Sequence, residues 1–216
     1  MNATVNDVMT TQVVAVRRAA TFKEMAATLR RFRVSAFPVV DDDGKVIGVV
    51  SEADLLAKEA LADPGVLAGL LHHKDLVKAD ALTAGDLMTH PAVTVTPEDP
   101  VEHAARLMYN LRVKRLPVVD AGGGLVGVIS RTDVLAIYDR PDEEIRAEIA
   151  DDVILHEFLE DPRQFAVTVR AGVVTLQGSP ETTALGHDIV RKVRHVRGVV
   201  AVRDRLSYPD PVTAQL

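Results

Sequence analysis

An internal repeat constrains the fold of this chain more than any other feature. The stretch DVMTTQVVAV near the N-terminus recurs as DLMTHPAVTV, and FPVVDDDGKVIGVVSEADLLA recurs as LPVVDAGGGLVGVISRTDVLA. Asp54 and Asp133 lie 79 positions apart, and the same offset aligns residues 7–57 with residues 86–136 without a gap. Self-similarity over about 50 residues predicts two copies of one folding unit.

Each copy predicts the same order of elements. A run of β-branched residues, Val13 to Val16 or Val93 to Val95, favours a buried strand. The helix that follows has apolar residues at i, i+3, i+4, i+7 and i+10: Phe22, Met25, Ala26, Leu29 and Phe32, then Val101, Ala104, Ala105, Met108 and Leu111. Two strands joined by DDDGK or DAGGG and a second helix complete a β-α-β-β-α unit.

Helix starts are predicted in both copies. Thr21 and Glu24 have the spacing of a capping box. In the second copy Asp99 is expected to cap the helix, with Pro100 at its first position and Glu102 at its third.

Composition excludes several classes of protein. A chain of 216 residues with 47% hydrophobic residues can form two modest domains. A net charge of −6 argues against a dedicated duplex-DNA binder, because phosphate neutralisation needs clustered positive charge. Without cysteine there is no disulfide, thiolate zinc site or Cys nucleophile. No secretory signal pattern or apolar spanning segment occurs in the sequence, so we expect a cytoplasmic protein.

Both copies resemble CBS (cystathionine-β-synthase type) domains. Three features carry the resemblance, and each occurs twice: a Met-Thr pair before the first strand, a PVVD strand end, and a closing motif Gly-x-x-Ser-x-x-Asp. The resemblance implies an α/β module with CBS repeats over residues 1–57 and 83–138. Residues 58–82, which have helical spacing, are predicted to form a helical connector.

A domain of a different kind is predicted after a linker at residues 139–141. An apolar stripe of Ile145, Ile149, Val153 and Leu159, with His156 on it, predicts a helix, and FAVTV and VVTLQ alternate around a turn. A second helix with Leu185, Ile189, Val193 and Val196 on one side precedes the strand GVVAVRDRL. With this α-β-β-α-β order and the motifs V-T-V-x-x-G-V-V-T-L-x-G and V-x-G-V-x-x-V, residues 142–208, before a tail at 209–216, resemble the BON domain. The family implies an interaction module for phospholipid or polymer surfaces, often exported.

The CBS resemblance implies an adenosine-containing ligand in the cleft between the repeats. The closing aspartates would take the ribose hydroxyls, the serines would hold phosphate, and apolar strand residues would enclose the adenine. A carboxylate can accept two hydrogen bonds from a vicinal diol, and a helix N-terminus offers N–H groups to phosphate. The alternative is that Ser-x-x-Asp only caps a helix. The implied nucleotide-binding residues are Val49, Ser51, Asp54, Lys114, Arg115, Val128, Ser130, Thr132 and Asp133.

The repeats differ just before the PVVD strand. The second carries Lys114 and Arg115 where the first has Ser35 and Ala36, and some nucleotide-binding CBS proteins have a basic pair here that contacts phosphates. Arginine donates to phosphate as a fork and lysine as a point charge. We therefore predict unequal clefts, the second copy having more phosphate donors. Two solvated surface cations are the alternative.

Other chemistry has less support. No nucleophile elbow, P-loop or dinucleotide fingerprint occurs, so no catalytic residue, required cofactor or enzyme activity is expected. The histidines show no metal-ligand spacing, so no metal site is expected: His72, His73, His90, His103, His156, His187 and His195. A cationic patch of His187, Arg191, Arg194 and Arg197 could meet lipid phosphates or an acidic partner, or be ordinary surface charge.

The leading hypothesis is a non-enzymatic sensor that binds AMP, ADP, ATP or S-adenosylmethionine between its CBS repeats, forms a homodimer, and uses the BON domain for interaction. The rival is a ligand-free structural protein that docks a partner or phospholipid surface through the BON domain. An open cleft would favour the first, and a cleft filled by side chains such as Phe37 would favour the second.

Overall fold

The computed structural model describes residues 3–61 and 82–209. Two compact units are present, one formed by Thr4–Arg131 and the other beginning at Thr132. The predicted connector at 58–82 and the predicted tail at 209–216 fall almost entirely outside the described residues.

The first repeat forms a three-stranded sheet with two helices. Its elements are β1 (Val16–Arg17), α1 (Phe22–Phe32), β2 (Ala36–Val40), β3 (Val46–Ser51) and α2 (Glu52–Leu61). Strand β1 runs parallel to β2, and β2 runs antiparallel to β3. A core cluster combines Ala84 and Leu87, at the start of the second repeat, with these buried residues of the first: Val16, Met25, Leu29, Phe37, Val39, Val50 and Leu55.

The second repeat reproduces the hairpin and its helices. Its elements are α3 (Ala84–Leu87), α4 (Val101–Asn110), β4 (Arg115–Val119), β5 (Leu125–Ser130) and α5 (Arg131–Ala136). Arg115 pairs with Ser130 as Ala36 pairs with Ser51, so the two hairpins share one register. The predicted strand at Val93 to Val95 is wrong, because only Val95 makes a bridge, parallel to Val118.

The cap predicted for α1 is confirmed, whereas that for α4 is wrong. Thr21 and Glu24 form the reciprocal hydrogen bonds of a capping box. Pro100 occupies the N-cap of α4 and makes no side-chain cap. The Asp99 carboxylate instead accepts the N–H of Thr96 in the preceding turn, at 2.7 Å.

The predicted apolar stripes are too wide. Met25 and Leu29 of α1 and Val101, Ala104 and Met108 of α4 are buried. Of the other predicted positions, Ala105 is half-buried, as is Phe22, whereas Ala26, Phe32 and Leu111 are exposed. Phe32 and Leu111 stand where their helices end, so the core-facing stripe stops one turn earlier.

The Met-Thr pairs interlock the two repeats. Thr10, from the first repeat, bridges Val128 in β5, and Thr89, from the second, bridges Val49 in β3. Met88 packs onto β3 at Gly48, where a Cβ would lie 2.5 Å from its Sδ. The Met-Thr segment at the start of each repeat therefore pairs with a strand of the other repeat, which explains why Met-Thr occurs twice.

The unit beginning at Thr132 has the predicted α-β-β-α-β order. Its elements are α6 (Asp142–Glu148), which continues into a π-helix (Ile149–Glu157), then β6 (Phe165–Arg170), β7 (Val173–Gly178), α7 (Thr183–Val193) and β8 (Ala201–Leu206). The sheet order is β6-β7-β8, with β6 antiparallel and β8 parallel to β7.

Leu159 does not belong to the core of this unit. The helix passes into π geometry at Ile149, and a π turn advances five residues rather than four, so Ile154 is buried beside Val153. Leu159 lies beyond the helix with φ of 57° and is 84% exposed, and His156 is exposed as well. The sequence stripe assumed one uninterrupted α-helix.

Candidate functional site

A cavity of about 430 Å³ lies within the Thr4–Arg131 unit. That volume is in the range of small-molecule sites, roughly 300–1,000 Å³. Three segments line it: the start of β2 with the β3–α2 junction, the chain that follows Thr89, and the residues that lead into β4. Both repeats therefore build one cavity, and Phe37 does not fill it, because that side chain is fully buried in the core.

The closing motif of the first repeat forms one wall. The Asp54 carboxylate accepts the N–H of Ser51 at 2.8 Å and its O–H at 2.7 Å. Val49, on the strand that leads to this motif, also lines the cavity. Ser51 and Asp54 thus mark the beginning of α2, as the capping alternative predicts.

The same capping arrangement recurs away from the cavity. Thr21 with Glu24 and Thr83 with Asp86 make equivalent hydrogen bonds. The backbone N–H of Thr21 lowers the pKa of Glu24, and the Thr83 hydroxyl lowers the pKa of Asp86. Capping geometry alone is therefore no mark of a binding site, and what distinguishes Asp54 is its place on the cavity wall.

The second repeat contributes three cations to the lining, Arg112, Lys114 and Arg115. Among the residues that the structure describes, Glu52 and Asp54 are the acidic members of the lining, so the described lining side chains carry a formal net charge of one positive. An anionic ligand group is favoured over a cationic one by this balance.

Arg115 is held by the first repeat. Its Nη2 donates to Ser35 Oγ at 2.9 Å, and its Nη1 donates to the carbonyl oxygen of Ala36 at 3.3 Å. Its Nε is buried and has no hydrogen-bond acceptor among the described residues. The two terminal nitrogens of the guanidinium are thus each held by the first repeat.

The structure divides the sequence-predicted site residues into two groups. Val49, Ser51, Asp54, Lys114 and Arg115 line this cavity together. The remaining four do not line it: Val128, Ser130, Thr132 and Asp133.

The sequence pairs Lys114 and Arg115 with the closing motif of their own repeat, but the structure places them beside the closing motif of the first. The interlocking of the repeats is the physical reason, because the segment that enters β4 faces the β3–α2 junction. Lys114 and Arg115 therefore line the cavity together with Asp54, whereas Asp133 does not line it.

Sequence reasoning missed part of the lining. Thr89, Pro91, Ala92 and Val93 contribute a mostly apolar wall, and Arg112 adds a cation. The Met-Thr pair in the sequence could have predicted the residues after Thr89, since the chain that follows this pair runs along the other repeat.

The predicted cationic patch is exposed, but two of its members have contacts. His187 stacks against Tyr208 at 4.9 Å between ring centroids, and Arg191 forms an ion pair with Asp188. Arg194 and Arg197 are exposed and make no ion pair within residues 3–61 and 82–209. Burial, with the hydrogen bond to Asp204, raises the pKa of Tyr208 to about 12.

No cluster of three potential metal ligands occurs among the described residues. Of the histidines, His72 and His73 fall outside that part of the chain. Within it, no helix combines the length and apolar character needed to cross a bilayer.

The CBS domain model matches residues 5–60 and 84–140, more than half of the chain. The chain belongs to the CBS domain family. A BON domain model matches residues 141–210, so a tandem CBS pair is followed by a BON domain.

Known CBS proteins resemble the pair. The chloroplastic CBS domain-containing protein CBSX1 of Arabidopsis thaliana is 33% identical over 133 residues, 56% of this chain and 56% of that protein. The crystal structure of CBSX2 in complex with AMP is 32% identical with a TM-score of 0.51, covering 62% of this chain and 93% of that one.

The CBS pair of protein MJ0100, in complex with 5′-methylthioadenosine and S-adenosyl-L-methionine, shares the fold at 22% identity and a TM-score of 0.52. It covers 64% of this chain and 98% of that one. The chain spans about half the length of the two curated plant relatives, CBSX1 and CBSX2.

Proposed function

We propose that this protein is a non-enzymatic regulator that binds an adenine nucleotide in the Asp54 cavity. The observation that carries the proposal is a single cavity that brings Ser51 and Asp54 of one repeat against Lys114 and Arg115 of the other. The AMP complex of CBSX2, a relative at 32% identity, supports the choice of ligand class.

Each part of a nucleotide has a matching group in the cavity. The apolar lining, with Val49, Val93 and Leu116, suits the base. The Asp54 carboxylate suits the ribose diol, and the basic side chains suit phosphate. Ligand binding then favours whichever arrangement of the protein holds the nucleotide more tightly, and the BON domain passes the change to a partner.

Docking through the BON domain is a second candidate function, and two exposed arginines favour it. The exposed Arg194 and Arg197 of the BON domain, without ion pairs among the described residues, suit docking to an acidic protein or phospholipid surface without any ligand in the CBS pair. The open cavity favours the nucleotide proposal. We place the protein in the cytoplasm, which fractionation of the source cells tests.

Calorimetric titration with AMP, ATP, adenosine and S-adenosylmethionine tests the proposal. Arg115→Ala should weaken AMP and ATP by about ten- to a hundredfold and leave adenosine nearly unchanged, because the lost hydrogen bonds are charge-assisted. Asp54→Asn should weaken all ligands, since each carries the ribose. Asp133→Asn is the matched control and should leave this site intact.

If the wild-type protein binds none of the four compounds, the nucleotide-sensor proposal is wrong and the docking function takes its place. Conversion of AMP or ATP to product during prolonged incubation would contradict the non-enzymatic assignment.

We also propose a homodimer formed through the CBS pair. Phe32, Leu56, Tyr109 and Leu111 are large apolar or aromatic side chains exposed on its helices and helix ends. Self-association would remove such surface from water. Light scattering at micromolar concentration should report twice 23.4 kDa, and a mass near 23.4 kDa would contradict the dimer.

A further inference from the structure

The contacts of Arg115 reveal a relation between the repeats that the cavity lining alone does not. Ala36 is the residue at the position of Arg115 in the first repeat, 79 residues earlier, and Arg115 donates to its carbonyl oxygen. Ser35 likewise occupies the position of Lys114. A residue that contacts its own counterpart lies near the pseudo-twofold axis, as in a symmetric dimer interface.

Such a position accommodates one guanidinium. The first repeat supplies small residues, Ser35 and Ala36, against which the Arg115 side chain lies. Ala36 is buried, so an arginine in its place would have to share the same space. The first repeat has no basic side chain at these two positions, so Arg115 supplies the guanidinium that meets Ser35 and Ala36.

Ser35 is anchored in the backbone independently of Arg115. Its carbonyl oxygen accepts the N–H of Glu52 at 3.0 Å, as that of Lys114 accepts the N–H of Arg131. Glu52 begins α2, the helix whose start carries Asp54. The backbone of Ser35 is thus tied to the start of α2, and its hydroxyl accepts a hydrogen bond from the Arg115 guanidinium on the cavity lining.

We infer that Ser35 is a positioning residue that makes the Asp54 cavity select phosphorylated ligands over the unphosphorylated nucleoside. Its Oγ and the Ala36 carbonyl occupy Nη2 and Nη1, which fixes the plane of the guanidinium. These two bonds use two of the five N–H donors of the guanidinium, and a phosphate oxygen is the acceptor that the remaining Nη N–H groups bind most strongly. This inference rests on the proposed function.

A double-mutant cycle with calorimetric titration of the full chain tests it. Ser35→Ala should weaken AMP about five- to tenfold and change adenosine or S-adenosylmethionine by less than about twofold, a smaller loss than that of a charge-assisted hydrogen bond to the ligand, because Ser35 acts through the arginine. Ser35→Thr, which keeps the hydroxyl, should restore AMP affinity. In an Arg115→Ala background, Ser35→Ala should have no further effect, because Ser35 acts through the arginine.

Three outcomes would overturn the inference while the proposed function stands. Equal losses for AMP and adenosine would make Ser35 merely structural. An undiminished effect of Ser35→Ala in the Arg115→Ala background would mean that Ser35 contacts the ligand itself. No effect on any ligand would remove the role. Wild-type protein that binds none of AMP, ATP, adenosine and S-adenosylmethionine overturns the proposed function, and the inference with it.

Discussion

Two arginines adopt a backbone conformation that disfavours side chains. Arg33 and Arg112 follow α1 and α4 with φ of 53° and 56°, in the left-handed region where glycine is usual. The matching angles 79 residues apart show that the repeat extends to the backbone. Arg112 lines the cavity and Arg33 does not, so they form a matched pair.

We predict that Arg33→Gly and Arg112→Gly each raise the free energy of unfolding by roughly 0.5–1 kcal/mol. Relief of left-handed strain, about 1–2 kcal/mol, is partly offset by the greater unfolded-state entropy of glycine. Only Arg112→Gly should weaken AMP, because only that change removes a cavity cation. Urea unfolding and calorimetry check both, and weakened AMP binding in the Arg33 variant would contradict the assignment.

At the site, the sequence predicted which residues line the cavity better than it predicted which of them lie side by side. Ser51, Asp54, Lys114 and Arg115 could be singled out because the family motifs, and the difference between the repeats at the Lys-Arg pair, are visible in one chain. Which motif faces which cation depends on how the repeats interlock, and that is set by tertiary packing. Ser35 carried no signal beyond its alignment with Lys114.

Among the elements, the β6–β7 hairpin shows how local sequence fixes a connection. Ala171 and Gly172 have φ of 50° and 72°, the pair of positive angles required by a two-residue turn. Their N–H groups donate to the two carboxylate oxygens of Asp142, at 2.7 and 2.8 Å. The hairpin is thereby tied to the start of α6.

Replacing Gly172 by alanine should destabilise the BON domain by more than the conformational cost alone. A Cβ there would lie 2.7 Å from Val200 Cγ2 and 2.9 Å from the carbonyl oxygen of Gly198. Gly44 also has positive φ but open space around it, so Gly44→Ala is the control and should cost about 1 kcal/mol. For Gly172→Ala we expect roughly 2–4 kcal/mol in urea unfolding. Equal costs would mean that the backbone relaxes without strain.

Elements were predictable where one periodicity runs uninterrupted. The hairpins and α1 form where the sequence predicts them: β3 and β5 alternate in burial, β2 and β4 are continuous apolar runs that are buried almost throughout, and α1 buries the centre of its stripe. The π-helix buries Ile154 and leaves Leu159 exposed, and no periodic pattern in the sequence predicts a π-helix. The chain at Val93 is apolar but does not pair with a neighbouring strand, and Val93 lines the cavity instead.

For the whole molecule, the distribution of core residues separates the BON domain from the CBS pair. Its cluster comprises Ile145, Ile149, Val153, Ile154, Phe165, Val174, Leu176, Ile189, Val190, Val193, Val196, Val199 and Leu206. All lie within residues 142–208, the boundaries that the sequence predicts. A segment with its own contiguous core is expected to fold alone.

The structure refines where that fragment should begin. Arg140, which the sequence assigns to a linker, donates to Glu148 at 2.7 Å and to the carbonyl oxygen of Arg197 at 2.9 Å through one nitrogen, and its side chain is only 19% exposed. These bonds join α6 to the loop before β8. A fragment that starts at Asp142 loses them.

We predict that residues 139–209 fold alone, and that residues 142–209 fold with an unfolding free energy lower by roughly 1–3 kcal/mol, the cost of losing hydrogen bonds to a charged group. Arg140→Ala in the longer fragment should reproduce most of that loss.

Ile189→Ala removes a fully buried side chain, so it should cost about 2–5 kcal/mol, and equally in the fragment and the full chain if the domain is independent. Urea unfolding followed by circular dichroism measures each value. Poorly dispersed amide resonances in the longer fragment, or an Ile189→Ala cost that differs between fragment and chain by more than about 0.5 kcal/mol, would show that the BON domain depends on the rest of the protein.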